Sequence, residues 1–109
     1  MKIREEFTSP LELCFDRIKG KWKPIILWQL KSGPMQPSSL QRNIKGINQK
    51  MLLEQLRELK ESKIIDKISY DGYPVKVEYF LTDIGKEIIR GLEVFQNVGE
   101  KYLKISKAV

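Results

Sequence analysis

The side chains in this sequence that are best suited to chemistry are amides, hydroxyls and cations lying between residues 36 and 57. An amide side chain can pair with the edge of adenine, and a lysine can pair with guanine or with a phosphate. Serine hydroxyls can also hold phosphate oxygens. The residue types of this segment are therefore typical of a surface that binds a polyanion.

The composition argues against catalysis. The 109 residues include no histidine, so the commonest general base and the commonest metal ligand are both missing. The seven glycines are too scattered to form a phosphate-binding fingerprint. An enzyme is the weakest interpretation, since it would depend on scattered carboxylates alone, and no cofactor is indicated.

The distribution of charge supports a polyanionic partner. The net charge is +6 and the isoelectric point is about 9.5. Residues 20 to 63 hold nine basic and three acidic side chains, whereas the segments on either side are neutral. The whole excess therefore lies in the segment that contains the amides and hydroxyls.

Length and hydropathy favour one domain. No stretch rich in Pro, Gly or Ser divides the chain, so residues 1 to 109 are predicted to fold together. No stretch approaches the roughly 18 apolar residues of a membrane span, and the first residues lack the apolar run of a signal peptide. A cytoplasmic location is expected.

Two helices joined by a short turn are predicted between residues 37 and 62. Pro37 suits the first position of one helix, Gly46 suits its end, and Asn48 is a good cap for the next helix. The second helix has leucines at the i, i+4, i+7 spacing of one buried stripe: Leu52, Leu56 and Leu59. This is the helix-turn-helix arrangement.

The remaining elements complete a mainly α fold with a β-hairpin wing. The patterns predict a helix over 9 to 19, a core helix over 21 to 32, a hairpin over 64 to 82 and a long helix over 83 to 105. The long helix carries an apolar stripe that a small domain has little surface to cover, which favours pairing with a second copy. The predicted interface residues are Ile88, Leu92, Phe95, Val98 and Tyr102.

Three motifs in this order resemble the HxlR family of bacterial transcriptional regulators, which have a winged helix-turn-helix fold. The motifs are "GKW" at residues 20 to 22, "INQKMLLEQLRELKESKII" at residues 47 to 65 and "PVKVEYFLTDIG" at residues 74 to 85. The resemblance implies a homodimer that binds double-stranded DNA, with terminal helices as the interface and the helix over 48 to 62 as the reader. Many members sense oxidants through a cysteine before a Pro-x-Glu segment, a position that Ser9 occupies here.

The DNA contacts are assigned by position in this motif. Asn48, Gln49 and Lys50 begin the reading helix, where side chains reach base edges, and Arg57 lies two turns further on. Expected contacts to the DNA backbone come from the preceding helix and from the wing: Gln36, Ser38, Ser39, Arg42, Lys45, Tyr73 and Lys76.

Each of these features also has a purely structural interpretation. The charged face of the reading helix would then be a solvated surface with ion pairs, the residues from Gln36 to Ser39 would only cap a helix, and Tyr73 would belong to a turn. A winged helix can also be a protein-interaction module, in which case the basic segment would bind an acidic partner. Trp22 and Trp28 are expected to pack in the core.

Cys14 leaves two alternatives open. Its place on the apolar side of the first helix, with Leu11, Phe15 and Ile18, predicts a buried small residue that reacts slowly. The other alternative is a reactive thiol that could respond to oxidants or electrophiles.

Overall fold

The computed structural model describes residues 9 to 108, and in that range the chain forms five helices and one hairpin. The elements are α1 (Pro10–Ile18), α2 (Trp22–Leu30), α3 (Pro37–Asn43), α4 (Gln49–Glu61), β1 (Ile65–Tyr70), β2 (Lys76–Leu81) and α5 (Asp83–Ala108). The predicted mainly α fold with a β-hairpin is confirmed. Within the described range, no helix combines the length and apolarity needed to cross a membrane.

Side-chain caps set the starts of α1 and α4. The Ser9 hydroxyl accepts a hydrogen bond from the amide of Glu12 at 3.1 Å, and the Asn48 side-chain oxygen accepts one from the amide of Met51 at 2.8 Å. Each bond satisfies an amide that has no acceptor within its own helix. The start of α4 is therefore fixed at Gln49.

The core forms where the leucine stripe of α4 meets α2 and α3. Leu52, Leu56 and Leu59 are buried, as the sequence spacing predicts. They belong to one cluster with Ile26 and Leu27 of α2 and with Leu40 of α3. Trp22 and Trp28 are half-buried and pack against this cluster, which agrees with the core role predicted for them.

The register of the hairpin turns two apolar side chains outward. Ile68 pairs with Glu78, and Tyr70 pairs with Lys76, so these four residues share the outer face. Ile68 and Tyr70 are exposed, and the Tyr70 hydroxyl donates a hydrogen bond to Glu78 at 2.8 Å. That bond is the main reason why the pKa of Tyr70 lies above its usual value.

The inner face of the hairpin joins the core through β2. Tyr79 is buried, and its backbone amide and carbonyl both pair with Met35, at 2.8 and 3.0 Å. This bridge ties the hairpin to the segment between α2 and α3.

The long helix α5 has two apolar faces. Ile89 and Leu92 are buried within their own chain, whereas Phe95, Val98 and Tyr102 are exposed. Leu92 belongs to the core cluster of its own chain and also lines the apolar surface between α1 and α5, so its place in an intermolecular stripe stays a prediction. Ile88 is partly buried against the same core.

The junction of β2 and α5 is tightly packed around Gly85. The Thr82 hydroxyl accepts a hydrogen bond from the Gly85 amide at 3.2 Å, and the Thr82 amide donates one to the carbonyl of Ile64 at 3.1 Å. A side-chain carbon at position 85 would overlap the backbone carbonyl oxygen of Ile64 and would crowd Leu81. Only glycine allows this approach of α5 to the rest of the domain.

We expect Gly85→Ala to lower the free energy of unfolding by about 1–3 kcal/mol, because backbone atoms must shift to admit the methyl group. Denaturant titration of both proteins, followed by circular dichroism, measures the change. Asn97→Ala is the control in the same helix, since Asn97 is exposed on the side of α5 away from Phe95 and the better helix propensity of alanine should stabilise by up to about 1 kcal/mol. Equal stability of the two variants would contradict this account of Gly85.

Candidate nucleic-acid interface

The N-terminal end of α4 presents polar side chains to solvent. Gln49 and Lys50 are exposed, and both stand in the first turn of a helix whose opposite side is buried. The Asn48 side-chain oxygen accepts the capping hydrogen bond, so the side-chain NH2 group is the part of Asn48 that remains for an external ligand. The first turn of α4 could therefore offer an amide, an ammonium group and backbone amides to an anionic ligand.

The predicted contacts of α3 lie close to one another. The Arg42 guanidinium donates a hydrogen bond to the Ser39 hydroxyl at 3.2 Å, and Ser38 is exposed beside them. Gln36 is the residue before α3, and its side chain makes no capping bond. The capping interpretation of Gln36 therefore has no support in this geometry.

The hairpin carries its predicted contacts at and beside its tip. Tyr73 is fully exposed in the connection between the strands, and Lys76 is exposed at the first position of β2. Gly72 has a positive φ of 138°, a conformation that suits glycine in the tight connection. An aromatic ring and a cation are thus available on a projecting loop.

Part of the basic charge is committed to internal ion pairs, which the charge count did not reveal. Lys23 pairs with Glu58 at 2.6 Å, Lys31 with Glu93 at 3.4 Å, and Arg57 with Glu61 at 2.9 Å. Between residues 9 and 108, the remaining cations of the basic segment have no acidic partner: Lys21, Arg42, Lys45, Lys50, Lys60 and Lys63. Six of the nine cations are therefore available to an external anion.

The ion pair between Lys23 and Glu58 joins α2 to α4 at the edge of the core. Lys23 is 8% exposed although it carries a charge, and its ammonium group donates to the Glu58 carboxylate. This hydrogen bond is the main reason why the pKa of Glu58 lies below its usual value of 4.5, and attraction to the Lys23 and Arg57 charges adds to it. The pair helps to fix the rotation of α4 about its axis.

A leucine on the exposed face of α4 was missed by the sequence analysis. Leu53 is 43% exposed, unlike Leu52 beside it, which is 1% exposed. Leu53 follows Gln49 by four residues, and side chains with this spacing are neighbours on a helix surface. The sequence could therefore have placed Leu53 beside Gln49 on the exposed face of α4. The apolar row of α4 had been assigned to the core alone.

An open groove lies between α1 and α5. Its lining includes Cys14, which was expected to be buried, and Ile88 and Phe95, which were expected to pair with a second copy. The groove has a volume of about 600 Å³ and is lined mainly by apolar side chains, including Leu11, Cys14, Phe15, Ile84, Ile88 and Phe95. The prediction that Cys14 is buried is wrong: the thiol is exposed in the single chain. The reason is that α1 and α5 meet through limited contacts such as the rings of Phe15 and Phe95, 6.5 Å apart, which leave the groove open.

The chain is similar to known proteins over most of its length. The family model described as HxlR-like helix-turn-helix matches residues 17–107. An uncharacterized HTH-type transcriptional regulator of Methanothermobacter thermautotrophicus is 38% identical over 98 residues, which are 90% of this chain and 75% of that protein. The uncharacterized HTH-type transcriptional regulator YkvN of Bacillus subtilis is 39% identical over 84 residues, which are 77% of this chain and 71% of that protein. The solved structure of the redox regulator HypR in its reduced form has a TM-score of 0.85 at 33% identity and covers 93% of this chain and 100% of that one.

We expect Glu58→Gln to destabilise the fold at pH 7, because it leaves the buried Lys23 ammonium group without its charged partner. The pKa of Glu58 is lower in the folded chain than in the unfolded one, so its contribution is present above about pH 4.5. The difference in unfolding free energy between parent and variant should then shrink as the pH falls through the folded-state pKa. Urea titrations at several pH values measure this difference.

Glu61→Gln is the control for that experiment. It removes the exposed pair with Arg57, one helical turn apart, and should change the free energy of unfolding at pH 7 by no more than about 0.5 kcal/mol. If Glu58→Gln cost no more than Glu61→Gln, the contact between α2 and α4 would not depend on this ion pair.

Proposed function

The chain belongs to the HxlR-like helix-turn-helix family of DNA-binding transcriptional regulators, and from this premise we propose that it acts as a homodimer on a pseudo-palindromic stretch of duplex DNA. The family and these relatives are regulators and not enzymes. The observation that carries the proposal is the exposed first turn of α4, where Gln49 and Lys50 stand on a helix held by its buried leucines. In a helix-turn-helix domain, this end of the second helix enters the major groove.

In this proposal α3 and the wing hold the DNA backbone. Arg42 is exposed on α3 and Lys45 in the turn after it, both without an acidic partner among residues 9 to 108, and Lys76 and Tyr73 project from the hairpin. Contacts of this kind position the protein but carry little sequence information. Arg57 reaches a phosphate by exchanging its exposed pair with Glu61, which costs little because surface ion pairs contribute little stability.

The proposed dimer forms through α5 with help from α1. The exposed Phe95, Val98 and Tyr102 continue along a helix of 26 residues, and the groove beside them offers further apolar surface. A two-fold pairing of this surface would bury it and would place two copies of α4 on successive turns of one DNA face, roughly 34 Å apart. Cys14 lines the same groove, so the second copy would shield this thiol from reagents.

We expect base-reading and backbone-contacting residues to respond differently to substitution. Gln49→Ala or Lys50→Ala should cost roughly 1–3 kcal/mol on the preferred operator and much less on random DNA. Arg42→Ala or Lys76→Ala should weaken binding to both and should reduce the salt slope by about 1 for each lost phosphate contact. Operator selection from random duplexes, followed by titrations over a range of salt concentrations, measures these quantities.

Lys104→Ala serves as the control, because this exposed lysine lies near the end of α5 and outside the proposed contacts. Its affinity and salt slope should match those of the parent. If both α4 variants bound the selected operator as tightly as the parent while staying folded, α4 would not be the reading helix. Retention on DNA without any sequence preference would instead favour an interaction module that binds acidic partners.

The dimer is tested by Phe95→Glu. Phe95 is 56% exposed in the single chain, so the change should leave the fold intact but should weaken self-association by about 2 kcal/mol or more, because a carboxylate would be buried at the interface. Sedimentation velocity over a range of protein concentrations measures the effect. Asn97→Glu is the matched control, because it adds the same carboxylate at an exposed position on the side of α5 that faces away from Phe95 and Tyr102, and it should remain dimeric. A parent protein that is monomeric at micromolar concentration would overturn the dimer and its palindromic site together.

A further inference from the structure

Two adjacent leucines in α4 have opposite environments. Leu52 belongs to the core cluster, whereas Leu53 points away from it and keeps almost half of its side chain in solvent. Single exposed leucines are common on protein surfaces, so exposure alone assigns no role. The position of Leu53 among the presented side chains of α4 is the informative observation.

Leu53 lies within the surface that the proposed function assigns to DNA. It follows Gln49 by four residues and Lys50 by three, and it precedes Arg57 by four, so all three are its neighbours on the helix surface. It stands in the second turn of a helix whose first turn is exposed and whose cap is formed by Asn48. A helix that inserts its N-terminal end into the major groove brings side chains of its first two turns to base edges.

A leucine side chain can neither donate nor accept a hydrogen bond, so its partner in the groove must be apolar. Among the base edges of the major groove, the C5-methyl group of thymine is the apolar one. We propose that Leu53 is a specificity-determining residue that packs on a thymine methyl in each half-site, beside the base pairs that face Gln49 and Lys50. This inference depends on the proposed function, because it requires α4 to lie in the major groove.

The contact would let the protein distinguish thymine from uracil. Thymine and uracil present the same hydrogen-bonding groups and differ by the one methyl group, so a leucine contact makes the protein sensitive to this replacement at one position of each half-site. The neighbouring amide and ammonium groups would not detect it. The loss of one buried methyl group corresponds to roughly a fourfold change in affinity for each half-site.

The test uses the full chain and an operator selected from random duplex DNA. Each thymine of the operator is replaced in turn by deoxyuridine, symmetrically in both half-sites, and the dissociation constant is measured at fixed salt. For the parent we expect one position at which the replacement weakens binding by roughly tenfold to twentyfold, since two methyl contacts are lost together. Leu53→Ala should bind the thymine and uracil operators equally, and its fold is preserved because alanine suits an exposed helix position.

Two further variants separate a direct contact from a general loss of affinity. Leu53→Met keeps an apolar side chain of similar size and should retain most of the preference for thymine at that position. Gln49→Ala should bind more weakly overall but should keep the same ratio between the two operators. Sequence-specific binding by the parent with no uracil-sensitive position that Leu53→Ala abolishes would overturn the role of Leu53 and leave the reading role of α4 standing. Failure to select any sequence would overturn both.

Discussion

The structure depends on the burial of one leucine stripe of α4 against α2 and α3. Because successive residues of an α-helix are separated by about 100°, burial of Leu52, Leu56 and Leu59 fixes the direction of every other side chain of this helix. Gln49, Lys50 and Leu53 are presented to solvent as a consequence of that packing. The ion pair between Lys23 and Glu58 also restricts the rotation of α4 about its own axis, because it ties another side of this helix to α2. The packing that buries these leucines thus also determines which side chains of α4 form the candidate reading surface.

The charge of the basic segment has two separate uses. Lys23 and Lys31 pair with acidic residues of other helices, and Arg57 pairs within α4, so these cations contribute to contacts inside the domain. The cations of the segment without an acidic partner among the described residues, such as Arg42, Lys45 and Lys50, determine the field that an approaching polyanion meets. A net charge therefore measures the tendency to bind anions only after the internal pairs have been subtracted.

The long helix α5 links the stability of the domain to the proposed assembly. Gly85 allows its first turn to lie against the backbone at Ile64, and Leu92 fills the core about two turns further on. Beyond Leu92 the apolar residues Phe95, Val98 and Tyr102 are exposed in the described chain, and only Phe95 meets another ring, that of Phe15. The first turns of α5 thus complete the hydrophobic core of the domain, and its later turns present an apolar surface. A second copy would cover that surface in the proposed dimer.

The sequence by itself determined the order and type of the elements, because caps, helix-breaking glycines and apolar periodicity act over a few residues. Ser9, Asn48 and the leucines of α4 are local signals of this kind, and the motif that contains Asn48 and these leucines helped to indicate the family that the comparisons then showed. Only the tertiary structure decided which apolar side chains would find a partner. Cys14 is exposed, Leu92 is buried and Lys23 is withdrawn from the basic surface because burial depends on contacts between helices that are far apart in the chain. A periodic pattern shows that a helix has an apolar side, but the packing of the other helices decides how much of that side is covered.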